Sequence, residues 1–350
     1  MNFFFRILSI TFVLYFSIDI IVTKSLKIRG FSKFYISNEE VGFMHKPNFS
    51  GKFGGPLDNF YSTVNIGSLG ERVSVKNKCL NTKKIIFLGD SVVAGFEVDD
   101  EKTFVSLLNK NCNINKLSGN NFGVRAYDTH QVIVNYKRIV KKIDHDYLFY
   151  LISQNDINEN NNFYHYPNLV KKFGRAYDEK IYPPSLSFIE QYYFMLRVFV
   201  SDNFYFTTKI IIHLEDLKNF LIELFKNFIK KNEVYPSNDV MIDYDELNKT
   251  TDLIKRLHNL AIENNKKLII GFYPCLSKTC DYEIALENLL LSEINSSFSN
   301  IEFLPLVSQF ENLSKLSKIK KINMRFKRDM HLSEFGHRIV YKLLVKNLQN

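Results

Sequence analysis

Ser91 is the first residue of the sequence whose setting is typical of a catalytic nucleophile. It ends the string Gly89-Asp90-Ser91, which directly follows Lys84–Leu88, an apolar run with the composition of a buried strand. A serine placed there has its hydroxyl at the carboxyl edge of a strand, where open α/β sheets bind ligands, and its N–H near a helix start. The string alone also fits a simple helix cap. The nucleophile hypothesis therefore needs a base, an orienting acid and oxyanion donors elsewhere in the chain.

The other groups that serine hydrolysis requires also occur in the sequence. His331 is the candidate base and Asp329 its candidate orienting acid, and both precede the last predicted helix. The candidate oxyanion donors are the backbone N–H groups of Ser91 and Gly123 and the side-chain amide of Asn155. All three donors fall in turns at strand ends, so a parallel sheet would bring them to one edge.

His337 is a rival base, because Glu334 precedes it by three residues. Both residues are better interpreted as parts of the last helix, so His331 is favoured, although geometry must finally decide between candidate bases. Three other histidines lack the spacing of metal ligands: His130, His145 and His165. We therefore predict neither a metal site nor another cofactor.

Apolar runs alternate with turns and amphipathic segments along much of the chain. This alternation predicts the α/β fold class, with three layers (α/β/α) around a central, mainly parallel sheet. One short strand is expected to end at Gly123. The other predicted strands are Lys84–Leu88, Tyr147–Ile152, Lys267–Tyr273 and Ile301–Pro305.

Changes of pattern along the chain divide it into three parts. Residues 1–25 form an N-terminal anchor, residues 26–82 a lead-in with a few short strands, and residues 83–350 an α/β domain. Within that domain, the alternation of strands and helices is interrupted at about 159–239, where a helical insertion is predicted. Such an insertion would cap the site, touch the membrane or add core, and added core is the simplest interpretation.

The segment Phe3–Val22 is apolar and approaches the length of about 20 residues that a membrane span needs. Arg6 and Asp19 interrupt it, and no small-x-small cleavage site follows, which favours an uncleaved anchor over a signal peptide. Four basic residues follow the segment, and the positive-inside rule alone would keep that side cytoplasmic. They are Lys24, Lys27, Arg29 and Lys33.

The formal charge of +9 on 350 residues is compatible with three kinds of partner: nucleic acid, an anionic membrane surface or an acidic glycan. The sequence contains no arginine-rich helix, zinc-finger spacing or aromatic RNA-binding signature. Nucleic acid is therefore not a predicted partner.

The four cysteines are too few for a disulfide scaffold. Cys275 and Cys280 could close a small loop in an oxidising compartment, and Cys79 and Cys112 could form a second pair. Four cysteines allow three pairings, and four free buried thiols are an equally acceptable interpretation.

Four blocks of the sequence together resemble the SGNH, or GDSL-type, hydrolase superfamily. They are Gly89-Asp90-Ser91, Asn121-Phe-Gly123, Asn155-Asp156, and Asp329 with His331. Ser153 stands where the third block usually begins with glycine. The last block is Asp-x-His rather than the common Asp-x-x-His, a spacing that resembles the branch of esterases and O-acetyltransferases that modify extracellular polysaccharides.

The resemblance implies a serine esterase that acts through an acyl-enzyme on O-acetyl groups of a cell-envelope or secreted carbohydrate. Transfer of the acyl group to a sugar hydroxyl by the same site is an alternative, and a non-catalytic glycan-binding or assembly protein is another. The resemblance and the anchor place the protein in a bacterial inner membrane with its catalytic domain outside the cytoplasm. A cytosolic-facing membrane protein, which the flanking charges favour, is the competing hypothesis.

Overall fold

The structure is a computed structural model, which describes most of the chain. The described residues are 2–25, 31–38, 40–54, 61–75, 79–159, 244–273, 275, 280–297, 301–316, 321–326 and 331–349, with scattered residues between 196 and 221. Most of the predicted insertion at about 159–239 therefore lies outside the described residues, as does Asp329.

Five parallel strands form the central sheet, in the order β6-β5-β7-β8-β9. The three inner strands carry continuous buried apolar runs, as expected for a parallel sheet that is covered on both faces. The strands are β5 (Lys83–Gly89), β6 (Leu117–Asn121), β7 (Tyr147–Ile152), β8 (Lys267–Phe272) and β9 (Glu302–Leu304). The predicted α/β class and parallel sheet are confirmed.

The edge strand β6 differs from its prediction, since it begins at Leu117 and ends at Asn121, before Gly123. Its residues Leu-Ser-Gly-Asn-Asn are mostly polar, so the apolar signal of a buried strand is missing. The hydrogen bond from the Phe122 N–H to the Phe87 carbonyl continues its contact with β5 into the following turn.

Helices cover both faces of the sheet and form a separate hydrophobic core on each. Ile86 and Tyr150 of the sheet pack on one face with α5 (Thr129–Ile139), α7 (Tyr244–Glu263) and α8 (Asp281–Ser297). The side chains that alternate with these along the strands, among them Ile85 and Phe149, point to the other face. There they pack with three further helices. These are α3 (Phe104–Lys110), α9 (Leu306–Leu316) and α10 (Glu334–Leu348).

Three short helices lie in the connections between these elements. They are α2 (Ser91–Ala94), α4 (Cys112–Asn115) and α6 (Gln154–Glu159). Both α2 and α6 begin directly after the carboxyl ends of strands, which places their N-termini at the edge where open α/β sheets bind ligands.

The lead-in forms two antiparallel hairpins that join the main core. One pairs β1 (Tyr35–Asn38) with β2 (Gly42–His45), and the other pairs β3 (Ser50–Phe53) with β4 (Ser62–Asn65). Phe43 and Val64 are buried in the same cluster as the inner strands, so the hairpins share a hydrophobic core with the sheet.

The N-terminal helix α1 spans Asn2–Ser25. Its part Phe4–Ser25 is long and apolar enough to cross a membrane, and 6% of the apolar window is buried. A core helix of a soluble protein would instead be mostly buried. The helix therefore has the composition and exposure of a membrane anchor or a signal sequence.

Both cysteine pairs considered from the sequence are disulfides in the structure. Cys79 is bonded to Cys112 across 33 residues, and Cys275 is bonded to Cys280. The described residues contain no free cysteine. The alternative of four free thiols is therefore wrong.

Two buried histidines make the folded chain sensitive to acid. Burial lowers the pKa of His337 to about 3 and the pKa of His45 to about 4. Unfolding exposes both rings, whose ordinary pKa is about 6.5. Between these limits the unfolded chain binds more protons than the folded chain, so the free energy of unfolding must fall as the pH drops from about 6.5.

We expect His337→Asn to reduce this dependence on pH, because asparagine keeps an acceptor for the Phe104 N–H but does not titrate. Denaturant unfolding of the full-length protein in detergent micelles, measured from pH 7 to pH 4, checks this slope. The control is Ser296→Ala at an exposed, non-titrating position, which should keep the native slope. Equal slopes in all three proteins would contradict a neutral, buried His337.

Candidate active site

The turn after β5 places Ser91 at the first position of α2. Gly89 has a φ of 152°, and a Cβ on it would lie 2.6 Å from Val93 Cγ2 and 2.8 Å from the Leu151 carbonyl oxygen, so the turn requires glycine. Asp90 caps the helix, since its Oδ1 accepts a hydrogen bond of 2.9 Å from the Val92 N–H. Ser91 is therefore held at the carboxyl edge of the sheet, half-buried, by its own local sequence.

His331 contacts Ser91 directly. Its Nε2 lies 2.7 Å from Ser91 Oγ, although 240 residues separate the two in the chain. The loop that carries His331 is fixed on both sides, because the Phe326 N–H donates to the His331 carbonyl and the Ser333 N–H to the Met324 carbonyl. The contact between Ser91 Oγ and His331 Nε2 is the hydrogen bond that a nucleophile and its general base need.

His337, the rival base, is fully buried inside α10. Its Nδ1 accepts a hydrogen bond of 3.3 Å from the Phe104 N–H, and its ring stacks on that of Phe104. Glu334 forms an ion pair with Lys102. Both residues thus have structural contacts within the last helix and its neighbours, as the sequence indicated.

A buried carboxylate near His331, that of Glu97, was missed by the sequence analysis. Glu97 Oε1 lies 3.6 Å from Nδ1 of His331, on the side of the ring opposite the nucleophile. The Glu97 side chain is 1% exposed and pairs through the same oxygen with Arg125. A charged residue between Phe96 and Val98, just after the turn that follows the nucleophile, was the available signal. Asp329, the predicted orienting residue, lies outside the described residues.

The three predicted oxyanion donors differ in how far the structure describes them. The N–H of Ser91 is the first of α2 and has no acceptor inside the helix. The N–H of Gly123 donates to Asn121 Oδ1 at 3.0 Å, so an oxyanion would have to share or replace that bond. Asn155 is in α6, and its side chain lies outside the described residues.

Gly123 also allows the turn after β6 to approach α2, the helix that begins at Ser91. A Cβ at this position would lie 2.4 Å from the Ala94 nitrogen and 2.5 Å from Val93 Cβ. Asn121 holds the approach from the other side, because its Nδ2 donates to the Val93 carbonyl at 2.7 Å. The second block of the motif thus packs directly against α2.

Ser153 joins the nucleophile turn to the third block. Its hydroxyl donates to Asp90 Oδ2 at 2.7 Å, and its N–H donates to Asp156 Oδ2 at 2.8 Å. All three residues are buried. The serine that replaces the usual glycine therefore supplies a hydrogen bond between two carboxylate-bearing turns.

Arg72 fixes the loop that carries Glu97. Its buried guanidinium donates to the carbonyls of Ala94 at 2.8 Å, Gly95 and Val98, and forms an ion pair of 3.1 Å with Asp100. These acceptors all belong to the chain that leaves the nucleophile helix. An arginine in the lead-in thus determines where the Glu97 loop lies.

We expect Ser153→Ala to destabilise the protein by about 1–3 kcal/mol, because Asp90 Oδ2 then loses its buried donor. Denaturant unfolding of the full-length protein measures the loss. Ser296→Ala is the matched control, since the Ser296 hydroxyl bonds only to an exposed helix carbonyl. A Ser153→Ala protein as stable as this control would show that the bond to Asp90 contributes nothing.

Comparison with known proteins identifies similar structures but no similar sequence family. No protein-family model matches the chain, and no curated protein matches it. A lipolytic protein of the G-D-S-L family from Veillonella parvula aligns over 76% of this chain and 97% of its own, with 11% identity and a TM-score of 0.40. A second protein of that family, from Desulfitobacterium hafniense, aligns over 76% and 99%, with 10% identity and a TM-score of 0.41.

A mutant of an acetyl-xylooligosaccharide esterase from Geobacillus aligns over 78% of this chain and 95% of its own, with 11% identity and a TM-score of 0.42. At such identities and TM-scores, the role of each residue in this chain has to be argued from its own geometry. These three solved structures are of two GDSL-family lipolytic proteins and of an acetyl-xylooligosaccharide esterase.

Proposed function

We propose that this chain is an SGNH-type serine esterase that removes O-acetyl groups from a carbohydrate of the cell envelope or of a secreted polymer. The observation that carries the proposal is the contact of 2.7 Å between Ser91 Oγ and His331 Nε2 at the carboxyl edge of the sheet. Four sequence blocks that resemble those of the superfamily occur along the chain in the expected order, and they include both residues of that contact.

In the proposed reaction, His331 Nε2 takes the proton of the Ser91 hydroxyl as Oγ attacks the ester carbonyl carbon. The negative oxygen of the tetrahedral intermediate is stabilised by the N–H groups of Ser91 and Gly123 and the amide of Asn155. The imidazolium then protonates the leaving sugar oxygen, and an acetyl-serine remains. Water then attacks the acetyl-serine, with His331 again as base, which releases acetate and restores the serine hydroxyl.

Two carboxylates are proposed to act on His331. Asp329 is the proposed orienting residue because it precedes His331 in the Asp-x-His block. Glu97 is proposed to stabilise the imidazolium that forms during the reaction, since its oxygen lies 3.6 Å from Nδ1. Arg125 balances the charge of Glu97 in the resting site, which explains how this carboxylate is tolerated at 1% exposure.

The carbohydrate substrate and the extracytoplasmic location have separate support. Disulfides persist in oxidising compartments, and the described domain contains two of them. The exposed apolar helix α1 supports a membrane anchor at the N-terminus. The short Asp-x-His spacing resembles enzymes that modify extracellular polysaccharides. The protein is thus proposed to lie in a bacterial inner membrane with its site outside the cytoplasm, where water or a sugar hydroxyl accepts the acetyl group.

Hydrolysis of a short-chain aryl acetate by the full-length protein tests the nucleophile. We expect Ser91→Ala to lower kcat by about three to six orders of magnitude, because no other group replaces the attacking oxygen. Ser296→Ala should retain native turnover, since that serine is at the far end of α8. Equal rates for the Ser91→Ala and native proteins would remove Ser91 from the mechanism.

The two carboxylates are separated by comparing Asp329→Asn with Glu97→Gln. If Asp329 orients the ring, Asp329→Asn should lower kcat by about 10³–10⁴-fold. Glu97→Gln should cause a smaller loss and move the acid limb of the kcat/KM profile to lower pH, because a negative charge that favours the imidazolium is removed. A large loss in Glu97→Gln with a native Asp329→Asn would assign the orienting role to Glu97 instead.

A further inference from the structure

A row of exposed apolar side chains lies on a helix of the insertion. The described residues between 205 and 221 are all helical. Large apolar residues recur among them every three or four positions, which places them on one face of the helix. Each is 39–61% exposed: Phe206, Ile210, Leu214, Leu217 and Leu221. Water-facing surfaces rarely carry a contiguous apolar row of this length, so a partner for it is expected.

The start of this helix is bonded to α1. Thr23 Oγ1 accepts a hydrogen bond of 2.9 Å from the Tyr205 N–H. Asp19 accepts bonds of 2.7 Å from the Phe206 N–H and 2.9 Å from the Thr207 N–H, and a third of 2.8 Å from the Thr207 hydroxyl. The first N–H groups of a helix have no partner within it, so α1 supplies the caps of this helical segment. It is called the 205–221 helix below, and its described residues are 205–211, 213, 214, 217, 218 and 221.

These bonds account for the carboxylate in the middle of an apolar helix. Asp19 is fully buried, whereas Ile18 and Ile21 beside it on α1 are exposed. An aspartate within a membrane span is costly and normally has a specific partner. Here the partner is the positive end of a second helix, which favours a carboxylate. A ring contact of 5.4 Å between Phe16 and Phe204 adds to the junction.

The position of Asp19 along α1 sets the depth at which the second helix begins. Asp19 precedes the end of α1 at Ser25 by six residues, or about 9 Å at the rise of an α-helix. All 24 residues of α1 span about 36 Å, slightly more than the hydrocarbon core of about 30 Å. The 205–221 helix therefore starts near the boundary between acyl chains and headgroups.

We propose that the 205–221 helix lies in the interface of the membrane that α1 spans, with its apolar row toward the acyl chains. This arrangement is typical of interfacial helices with one apolar face. It also implies that α1 is retained, because its removal would leave the N–H groups of Phe206 and Thr207 without their acceptor. The inference goes beyond the esterase reaction and rests only on the anchor in the proposed function.

The interfacial helix would also hold the catalytic domain at a defined place beside the membrane. The hydroxyls of Tyr205 and Tyr61 are hydrogen-bonded to each other, and Tyr61 directly precedes β4 of the lead-in. The lead-in shares its core with the central sheet. The Tyr205–Tyr61 hydrogen bond and the shared core therefore connect the 205–221 helix, through the lead-in, to the sheet that carries Ser91.

The chain contains no tryptophan, so a single introduced tryptophan reports its own surroundings without background. The test uses full-length Leu214→Trp in phosphatidylcholine and phosphatidylglycerol vesicles, with and without brominated acyl chains. Bromine quenches only tryptophans that contact the acyl chains. Leu8→Trp on α1 tests the anchor, and Ile262→Trp is the matched control, because Ile262 is 50% exposed on α7 of the sheet domain.

We expect bromination to reduce the emission of Leu214→Trp and Leu8→Trp at least twofold and to leave Ile262→Trp unchanged. An unquenched Leu214→Trp beside a quenched Leu8→Trp would overturn the interfacial helix and leave the anchor intact. Emission that is blue-shifted but unquenched would show that protein, such as a second copy, covers the row, and would also overturn the proposal. An unquenched Leu8→Trp, or an intact mass that lacks residues 2–25, would remove the premise.

Aryl acetate hydrolysis measured on the same vesicles keeps this inference separate from the esterase proposal. Active protein with an unquenched Leu214→Trp rejects only the interfacial helix. Inactive native protein with a quenched Leu214→Trp rejects only the esterase.

Discussion

The buried guanidinium of Arg72 is the interaction on which the geometry of the candidate site most depends. A fully buried arginine is tolerated only where its charge and its donors are satisfied. Arg72 meets this requirement with the carboxylate of Asp100 and three carbonyls of the loop that follows Ser91. Its own N–H donates to the Asn121 carbonyl, which ties the lead-in to the edge of the sheet. The loop is thus held by its backbone, whatever side chains it carries.

This constraint explains why a glutamate can be buried beside His331. Glu97 lies within the loop that Arg72 holds, so its side chain has little freedom to move toward water. Arg125 lies close enough to neutralise it, and the guanidinium of Arg125 also lies over the Phe53 ring of the lead-in. Two arginines therefore have complementary roles, since one fixes the loop backbone and the other compensates its buried charge.

On the side away from Arg72, the turn that carries Ser91 is held by hydrogen bonds from uncharged side chains to a carboxylate and a backbone carbonyl. Ser153 connects Asp90 to the turn after β7, and Asn121 connects α2 to the turn after β6. Each parallel strand that ends near Ser91 thus sends one short polar side chain to the same turn. The parallel sheet brings the carboxyl ends of its strands to one edge. The hydrogen bonds of these side chains then hold the turns after those strands against the turn that carries Ser91.

The amino-acid sequence by itself determined the class of fold and indicated which residues form the candidate site. Apolar strands followed by Gly89-Asp90-Ser91 and by Asn155-Asp156 are local patterns. Such patterns can be recognised from the order of residues alone. The bounds of the polar strand β6 were misplaced, because its residues lack the apolar signal, and the helix α9 was not predicted.

Only the tertiary structure decided which histidine contacts Ser91, which cysteines pair and which buried carboxylate lies near the base. It also assigned a partner to Asp19, which in the sequence only interrupts an apolar segment. In each case the two groups are far apart in the chain, as with the 240 residues between Ser91 and His331. Such contacts depend on how the sheet, the lead-in and α1 pack together. That packing cannot be predicted from the spacing of residues along the chain.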